Sequence, residues 1–237
     1  KNTKGIIINS PSNPSGGVWS DDAIMQLLDI VKNRPDIWIF SDECYEQLTY
    51  DIPFKSIATF APQLNNIITF QSCSKTYAMT GWRIGYLAGD INLVKAISKL
   101  QGQSTSCPNS IAQFAAMEAL SGDQKCVYEM KKIFHERRNL VLQELKKIPN
   151  ISCEIPNGAF YVFPNFKNYL NKKTQSGKLI KTSSDLSLYI LDQTGVVTVA
   201  GDSFGAPEHI RLSYATSNET ILKAVSLIGN TLKKIDF

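Results

Sequence analysis

A lysine among small hydroxyl residues is the part of this sequence best suited to covalent chemistry. Lys75 follows Ser72 and Ser74 directly after the apolar run 66–70, and Arg83 stands a short distance further along. A lysine amine can form an imine with an aldehyde. Serine hydroxyls and a guanidinium are hydrogen-bond donors that suit the oxygens of a phosphate. The segment therefore predicts a site for an aldehyde that also carries a phosphate.

Three polar residues stand just past the carboxyl ends of predicted strands: Asn13, Asp42 and Lys75. In open α/β sheets, ligands bind beyond the carboxyl ends of the strands. We therefore expect these three side chains to converge on one site.

The first half of the chain alternates short apolar runs with helical patterns. This alternation predicts an α/β fold with a largely parallel sheet. Strands are expected at 5–9, 37–40, 66–70 and 84–88, and helices at 22–32 (capped by Ser20 or Asp21), 92–102 and 109–120.

The second half predicts a smaller α+β region. A long helix at 126–147 is followed by expected strands at 151–166, 196–199 and 210–214, a polar surface excursion at 167–184, and helices at 184–192 and 219–234. We expect residues 1–124 to form part of a large α/β domain, and residues 125–237 to form the connecting helix and a small α+β domain.

Four motifs carry a resemblance to a known family. Residues 72–85 match S-x-S-K-x-x-x-x-x-G-x-R-x-G, residues 42–45 match D-E-x-Y, and residues 210–215 read I-R-L-S-Y-A. Residues 9–16 are similar to N-P-x-N-P-T-G, with Ser15 in place of the threonine. Over its whole length the chain resembles class I/II aminotransferases of fold type I, which use pyridoxal 5′-phosphate (PLP). The lysine segment is most similar to that of bacterial aspartate aminotransferases, some of which also accept prephenate.

The resemblance implies a role for each residue around the cofactor ring. Lys75 would form the imine with PLP and act as the base that moves a proton between the substrate Cα and the cofactor. Asp42 would be the anion opposite the pyridine nitrogen, and Tyr45 would donate a hydrogen bond to the ring oxygen. Asn13 would contact the same oxygen and reach the substrate. Glu43, next to Asp42, is expected to lie behind these residues or at the surface.

The resemblance also implies a phosphate site and a carboxylate site. Ser72, Ser74 and Arg83 would bind the cofactor phosphate. Arg211 would clamp the α-carboxylate of the substrate, because a guanidinium can make two parallel hydrogen bonds to it. His209 is expected to be incidental to the arginine strand, and Cys44 and Cys73 are expected to be packing residues.

The implied reaction is transfer of an amino group between an L-amino acid, with aspartate expected, and a 2-oxo acid such as 2-oxoglutarate, through an external aldimine and a ketimine. Two alternatives remain open. A PLP-dependent C–S β-lyase would share the site but release pyruvate and ammonia, and a sensor domain of a bacterial transcription regulator would have a DNA-binding segment upstream. The resemblance further implies a homodimer.

Composition restricts the remaining possibilities. No apolar stretch is long enough for a membrane span or a signal peptide, and five cysteines without C-x-x-C spacing favour reduced thiols in the cytoplasm. With two histidines in the chain, a histidine-based metal site is not expected. The basic residues of 131–147 are expected to form a solvated helix face rather than a nucleic-acid site. Because the chain lacks an initiator methionine, we expect it to be the C-terminal portion of a longer one.

Overall fold

The computed structural model describes residues 2–235, which form two compact units. The first unit contains the segment ending at Ser12 and Gly17–Lys131. The second contains the loop Asn13–Gly16 and the chain from Lys132 onward. Within residues 2–235, no helix is both long and apolar enough to cross a membrane.

A four-stranded sheet in the order β1-β2-β3-β4 forms the centre of the first unit. Its strands are β1 (Gly5–Asn9), β2 (Trp38–Asp42), β3 (Ile67–Ser72) and β4 (Gly85–Ala88). β1, β2 and β3 are parallel, and β4 pairs antiparallel with β3. The sheet is therefore mostly parallel, as predicted, and the carboxyl ends of β1, β2 and β3 share one edge.

Helix α1 (Asp21–Val31) covers one face of this sheet. Ser20 caps it by accepting a hydrogen bond from the amide of Ala23. Its buried residues Ile24, Leu28 and Val31 belong to the same core cluster as strand residues Ile8 and Ile39. Apolar positions at helical spacing predict this packing, because they place one stripe of side chains toward the sheet.

The remaining helices of the first unit are the short α2 (Cys73–Thr76), α3 (Ile91–Ser104), α4 (Ser110–Ser121) and the start of α5 (Lys125–Leu145). The last three of these carry exposed apolar side chains. None of the residues of α3 is buried, and Phe114 on α4 is 69% exposed. On the edge strand β1, Ile7 is 79% exposed.

The second unit is built on a three-stranded antiparallel sheet in the order β5-β9-β8. Its elements are β5 (Tyr161–Val162), the hairpin β6 (Lys172–Lys173) and β7 (Leu179–Ile180), α6 (Ser183–Thr194), β8 (Val199–Ala200), β9 (Ile210–Ser213) and α7 (Asn218–Leu232). Buried residues of α6, β9 and α7, among them Ile190, Ile210 and Ile228, form its core. The strand β9, which carries Arg211, lies in the middle of the sheet.

Two of the expected strands are wrong for most of their length. Of the expected strand 151–166, regular pairing remains at Tyr161–Val162, besides isolated bridges from Asn165 to Ser152 and to His209. Pro156 has no amide to donate to a ladder, which explains the interruption. The expected strand 196–199 begins only at Val199.

The prediction of a solvated basic face on α5 is wrong for Arg138. This arginine is buried, and its Nη1 donates to the carbonyl of Pro156 at 3.1 Å. Its Nη2 donates to Asn139 Oδ1 at 2.9 Å and lies 2.8 Å from His135 Nε2. Arg138 therefore supports the loop at 156–158 instead of facing water.

Candidate active site

Lys75 lies in the one-turn helix α2, which begins directly after β3. Ser72, the last residue of β3, caps the helix because its Oγ accepts a hydrogen bond from the amide of Ser74 at 3.1 Å. Ser74 is buried, whereas the Lys75 side chain is half-buried. The lysine is thus presented at the carboxyl end of a central strand by a capped turn of helix.

Asp42 is the last residue of the neighbouring strand β2. Its carboxylate accepts a hydrogen bond from the amide of Cys44 at 3.2 Å. Its carbonyl oxygen accepts bonds from the amide of Ser10 at 3.1 Å and from Asn9 Nδ2 at 3.3 Å. These contacts fix both the backbone and the side chain of Asp42 where β1 and β2 end.

The charges of Asp42 and Lys75 both affect the pKa of the Cys44 thiol. Burial, together with the negative charge of Asp42, raises the pKa of the Cys44 thiol to about 12. The positive charge of Lys75 acts in the opposite direction. The carboxylate and the amine are therefore both close enough to influence one thiol, and that thiol is protonated at neutral pH.

Glu43 is buried, with 1% of its surface exposed, so of its two expected positions the one at the surface is wrong. Its Oε1 accepts hydrogen bonds from Ser41 Oγ at 2.9 Å, Ser56 Oγ at 3.0 Å and the amide of Ile57 at 3.3 Å. Its Oε2 accepts one from Gln71 Nε2 at 3.2 Å. Burial raises the pKa of this carboxyl, and the hydrogen bonds oppose the rise.

Tyr45 and Arg83 complete the predicted residues of the first unit. Tyr45 is buried in the turn that follows β2. Arg83 is exposed, has a left-handed backbone conformation (φ 54°), and donates from Nη1 to the carbonyl of Thr80 at 2.9 Å. Nη1 of Arg83 is thus hydrogen-bonded within the turn that leads to Arg83.

The other two predicted residues, Asn13 and Arg211, meet in the second unit. Nη1 of Arg211 donates to Oδ1 of Asn13 at 2.7 Å. The Arg211 Nε is buried and has no hydrogen-bond partner in the part of the chain that the structure describes. Because a buried N–H without a partner costs free energy, this nitrogen is suited to an acceptor that arrives with a ligand.

The loop that carries Asn13 is held against residues 156–158. The amide of Gly158 donates to the carbonyl of Gly16 at 2.9 Å. Gly16 has a φ of +68°, and a Cβ at this position would lie 2.6 Å from the carbonyl oxygen of Gly158. A side chain at Gly16 is therefore excluded by both the backbone conformation and the lack of space.

The donor set of the first unit fits PLP. An amine, an anion, two serine hydroxyls and a guanidinium follow the ends of adjacent strands or the turn beyond them. The amine matches the aldehyde, the anion matches a protonated ring nitrogen, and the hydroxyls and guanidinium match the phosphate. Among the described residues, no group of three or more His, Cys, Asp or Glu side chains could hold a metal ion.

Sequence reasoning missed the roles of several residues that support these sites. The buried Glu43 and Arg138 carry charges that composition alone assigns to the surface. Tyr161 and Phe204, whose rings lie beside Arg211, belong to no motif quoted above. For Glu43, the available signal was its place in the D-E-x-Y motif.

Comparison with known proteins agrees with this fold and donor set. The family model for aminotransferase class I and II matches residues 1–228, and the chain belongs to this family. The predicted family and the fold-type I α/β class are thereby confirmed.

Bacterial relatives of the chain have related names. A probable aspartate/prephenate aminotransferase of Rhizobium leguminosarum bv. phaseoli is 46% identical over 224 residues, which is 94% of this chain and 56% of the relative. An aspartate aminotransferase of Rhizobium meliloti (strain 1021) is 42% identical over 96% of this chain and 56% of the relative. The crystal structure of the aspartate aminotransferase from Rhizobium meliloti matches with a TM-score of 0.94 at 40% identity, covering 99% of this chain and 59% of that one. The chain thus spans between half and two thirds of the length of these relatives.

Proposed function

We propose that this chain is part of a PLP-dependent aminotransferase that exchanges an amino group between an L-amino acid and a 2-oxo acid. The observation that carries the proposal is the pair Lys75 and Asp42, an amine and a carboxylate placed at the carboxyl ends of adjacent parallel strands. Membership of the class I and II family supports it. The names of the relatives favour aspartate as the amino acid, and favour an aminotransferase over a β-lyase or a sensor domain. The family resemblance implies 2-oxoglutarate as the 2-oxo acid.

In this proposal the residues of the first unit hold the cofactor. When bound, PLP supplies a ring that accepts electrons and so stabilises negative charge at the substrate Cα. Asp42 provides the anion that keeps the ring nitrogen protonated, and the hydroxyl of Tyr45 donates to the ring oxygen. Lys75 would make the covalent attachment, and its Nζ, released when the substrate amine takes its place, would move the proton from the substrate Cα.

Phosphate binding is assigned to the turn and the loop after β3. Ser72 and Ser74 provide hydroxyl donors, and Arg83 provides positive charge. Ser72 Oγ accepts the helix-capping bond, so its own hydroxyl hydrogen is available as a donor. Ser72 is therefore the better supported of the two serines, because it can cap α2 and bind an anion at the same time.

The residues of the second unit are assigned to the substrate. Arg211 binds the carboxylate, which a guanidinium can orient through two hydrogen bonds. Asn13 holds Nη1 of this guanidinium through Oδ1. The clamp is also expected to set the direction of the Cα–H bond, because that direction depends on how the carboxylate is held.

The assembly and location of the protein are part of the same proposal. Exposed apolar side chains on α4, including Ile111 and Phe114, are of the kind that a subunit interface buries, which supports a homodimer. The cysteines, such as Cys44 and Cys73, are free thiols, which supports a reducing compartment and hence the cytoplasm.

Borohydride reduction tests the central assignment. Reduction of the PLP-loaded protein followed by peptide mapping should find the pyridoxyl group on Lys75. Lys75→Ala should prevent the labelling and lower turnover by at least about 10²-fold, as expected for loss of a general base. Lys99→Ala, on α3, is the matched control and should keep both properties. A pyridoxyl group on a different lysine would refute the proposal.

A further inference from the structure

We propose that Tyr161 and Phe204 are positioning residues that hold the Arg211 guanidinium for the substrate carboxylate, an inference that rests on the proposed function. Arg211 Cζ lies over both rings, 4.5 Å from the centroid of Tyr161 and 5.2 Å from that of Phe204. Both distances are within the ~6 Å at which a ring attracts a cation over its face. The two rings therefore restrict where the plane of the guanidinium can lie.

The sheet fixes the ring of Tyr161 beside Arg211. Tyr161 on β5 is paired directly with Ser213 on β9, and side chains at 211 and 213 project from the same face of β9. Tyr161 is therefore a diagonal cross-strand neighbour of Arg211, at a separation that aromatic and long side chains can span. The tyrosine is buried, so its ring has little freedom to move away.

A tightly anchored turn fixes the ring of Phe204. Phe204 ends the 3₁₀ turn Gly201–Phe204, which follows β8. Within this turn, the carboxylate of Asp202 accepts hydrogen bonds from Ser183 Oγ at 2.9 Å and from the amide and Oγ of Ser184 at 3.0 and 2.8 Å. Because Ser183 and Ser184 begin helix α6, the turn is attached to the start of that helix.

Gly201 joins the same turn to the arginine strand. Its amide donates to the carbonyl of His209 at 2.8 Å, and a Cβ at Gly201 would lie 2.5 Å from that oxygen. His209 stands two residues before Arg211. The turn that carries Phe204 and the strand that carries Arg211 are therefore in direct backbone contact, which sets the spacing between ring and guanidinium.

This arrangement leaves the Nε edge of the Arg211 guanidinium for a ligand. The rings occupy space over its face, and Asn13 takes the bond from Nη1. The buried Nε has no partner among the described residues. We therefore expect a carboxylate oxygen to bind at the Nε edge, and the rings to hold that edge in place and keep water from the face.

Nuclear magnetic resonance of the Arg211 side chain tests the geometry. Ring currents should move the Nε–H proton signal upfield, and loss of the signal in Arg211→Lys would assign it. Phe204→Leu and Tyr161→Leu should each move the signal downfield. Tyr161→Phe, which keeps the ring, should leave it in place. So should Phe163→Leu, because the rings over Arg211 are those of Tyr161 and Phe204. Phe163 belongs to the same aromatic group but packs edge-on against Phe204 at 6.0 Å and stacks on His209 at 4.8 Å.

Steady-state kinetics and 2-oxoglutarate titration of the PLP-loaded protein test the role. Phe204→Leu should raise KM for both the amino acid and the 2-oxo acid about fivefold or more with little change in kcat, and should weaken 2-oxoglutarate binding equally. Phe163→Leu and Phe204→Leu should lower the midpoint of thermal unfolding to a similar extent, but Phe163→Leu should leave KM unchanged.

The outcomes separate this inference from the proposed function. Unchanged KM and an unmoved Arg211 signal in both Phe204→Leu and Tyr161→Leu would overturn the positioning role while leaving the aminotransferase proposal intact. Failure of 2-oxoglutarate to shift the Arg211 signal in the wild-type protein would overturn the proposed carboxylate clamp, and with it the role of the rings.

Discussion

Asn13 and Arg211 are 198 positions apart in the sequence, yet Oδ1 of the asparagine accepts a 2.7 Å hydrogen bond from Nη1 of the arginine. Asn13 comes from the loop after the first strand, and Arg211 comes from the middle strand of the sheet β5-β9-β8. Asn13–Gly16 is the only part of the chain before Lys132 that is grouped with the second unit among the described residues. The contact therefore joins two motifs that the sequence keeps far apart.

Arg211→Lys should raise KM for the amino acid and for the 2-oxo acid more than it changes kcat. An ammonium cannot reproduce a planar pair of N–H donors, and it would also lose the defined bond to Asn13. Steady-state kinetics with both substrates measure the effect. Arg34→Lys, at an exposed arginine that pairs with Asp36, is the control and should leave both KM values unchanged.

Asp42→Asn should lower kcat by orders of magnitude, because the ring nitrogen would lose its anion. The same change should lower the pKa of the Cys44 thiol from about 12, since the charge of Asp42 raises it. Lys75→Ala should have the opposite effect on this thiol. Alkylation of Cys44 as a function of pH, followed by peptide mass spectrometry, measures both shifts without relying on activity. A Cys44 reactivity unaffected by either change would show that the two charges do not meet there.

Gly16→Ala should destabilise the protein and raise KM for both substrates. A left-handed backbone costs a non-glycine residue about 1–2 kcal/mol, and the added Cβ would in addition collide with Gly158. Gly177→Ala is the matched control, because Gly177 also has a positive φ (+83°) but a Cβ added there would meet no atoms within 4 Å. Denaturant unfolding of both variants separates the backbone cost, which they share, from the steric cost. Equal destabilisation in the two would argue against the steric contact.

Because of Glu43, the free energy of unfolding should fall as the pH rises above the pKa that this carboxyl has in the unfolded chain. In the folded protein, burial raises the pKa of Glu43 above its ordinary value of 4.5. As the pH rises, the unfolded chain therefore loses this proton before the folded protein does. The folded state therefore binds more protons in this window, and the free energy of unfolding falls with pH until the folded carboxyl also ionises. Below pH 4.5 the stabilising contribution of the protonated Glu43 carboxyl is fully present.

Glu43→Gln should flatten this part of the stability profile, because an amide does not titrate. Urea unfolding at intervals between about pH 4 and pH 8 measures the profile for each protein. Glu129→Gln, at an exposed carboxylate on α5, should leave the wild-type profile in place. Parallel profiles for wild type and Glu43→Gln would contradict the assigned pKa direction.

The local elements follow from the sequence because their signals are local. The strand at Gly5–Asn9 is found where it was predicted, and α1 begins at Asp21 after the expected cap Ser20. The apolar alternation, the helical spacing and the capping residue all act over a few positions. The apolar run before Lys75 predicted a strand that ends at residue 70, and β3 ends shortly after it, at Ser72. The role of Lys75 stays a prediction.

Tertiary structure decided what depends on residues distant in the chain. It determined that Glu43 and Arg138 are buried, although charge favours exposure, because each meets hydrogen-bond partners from other segments. Most of the expected strand 151–166 is a loop instead, and the amide of Gly158 in this loop donates to the carbonyl of Gly16. Tertiary structure also brought Tyr161 and Phe204 to Arg211. Each of these outcomes requires a partner supplied by chain folding, and no pattern of neighbouring residues carries that information.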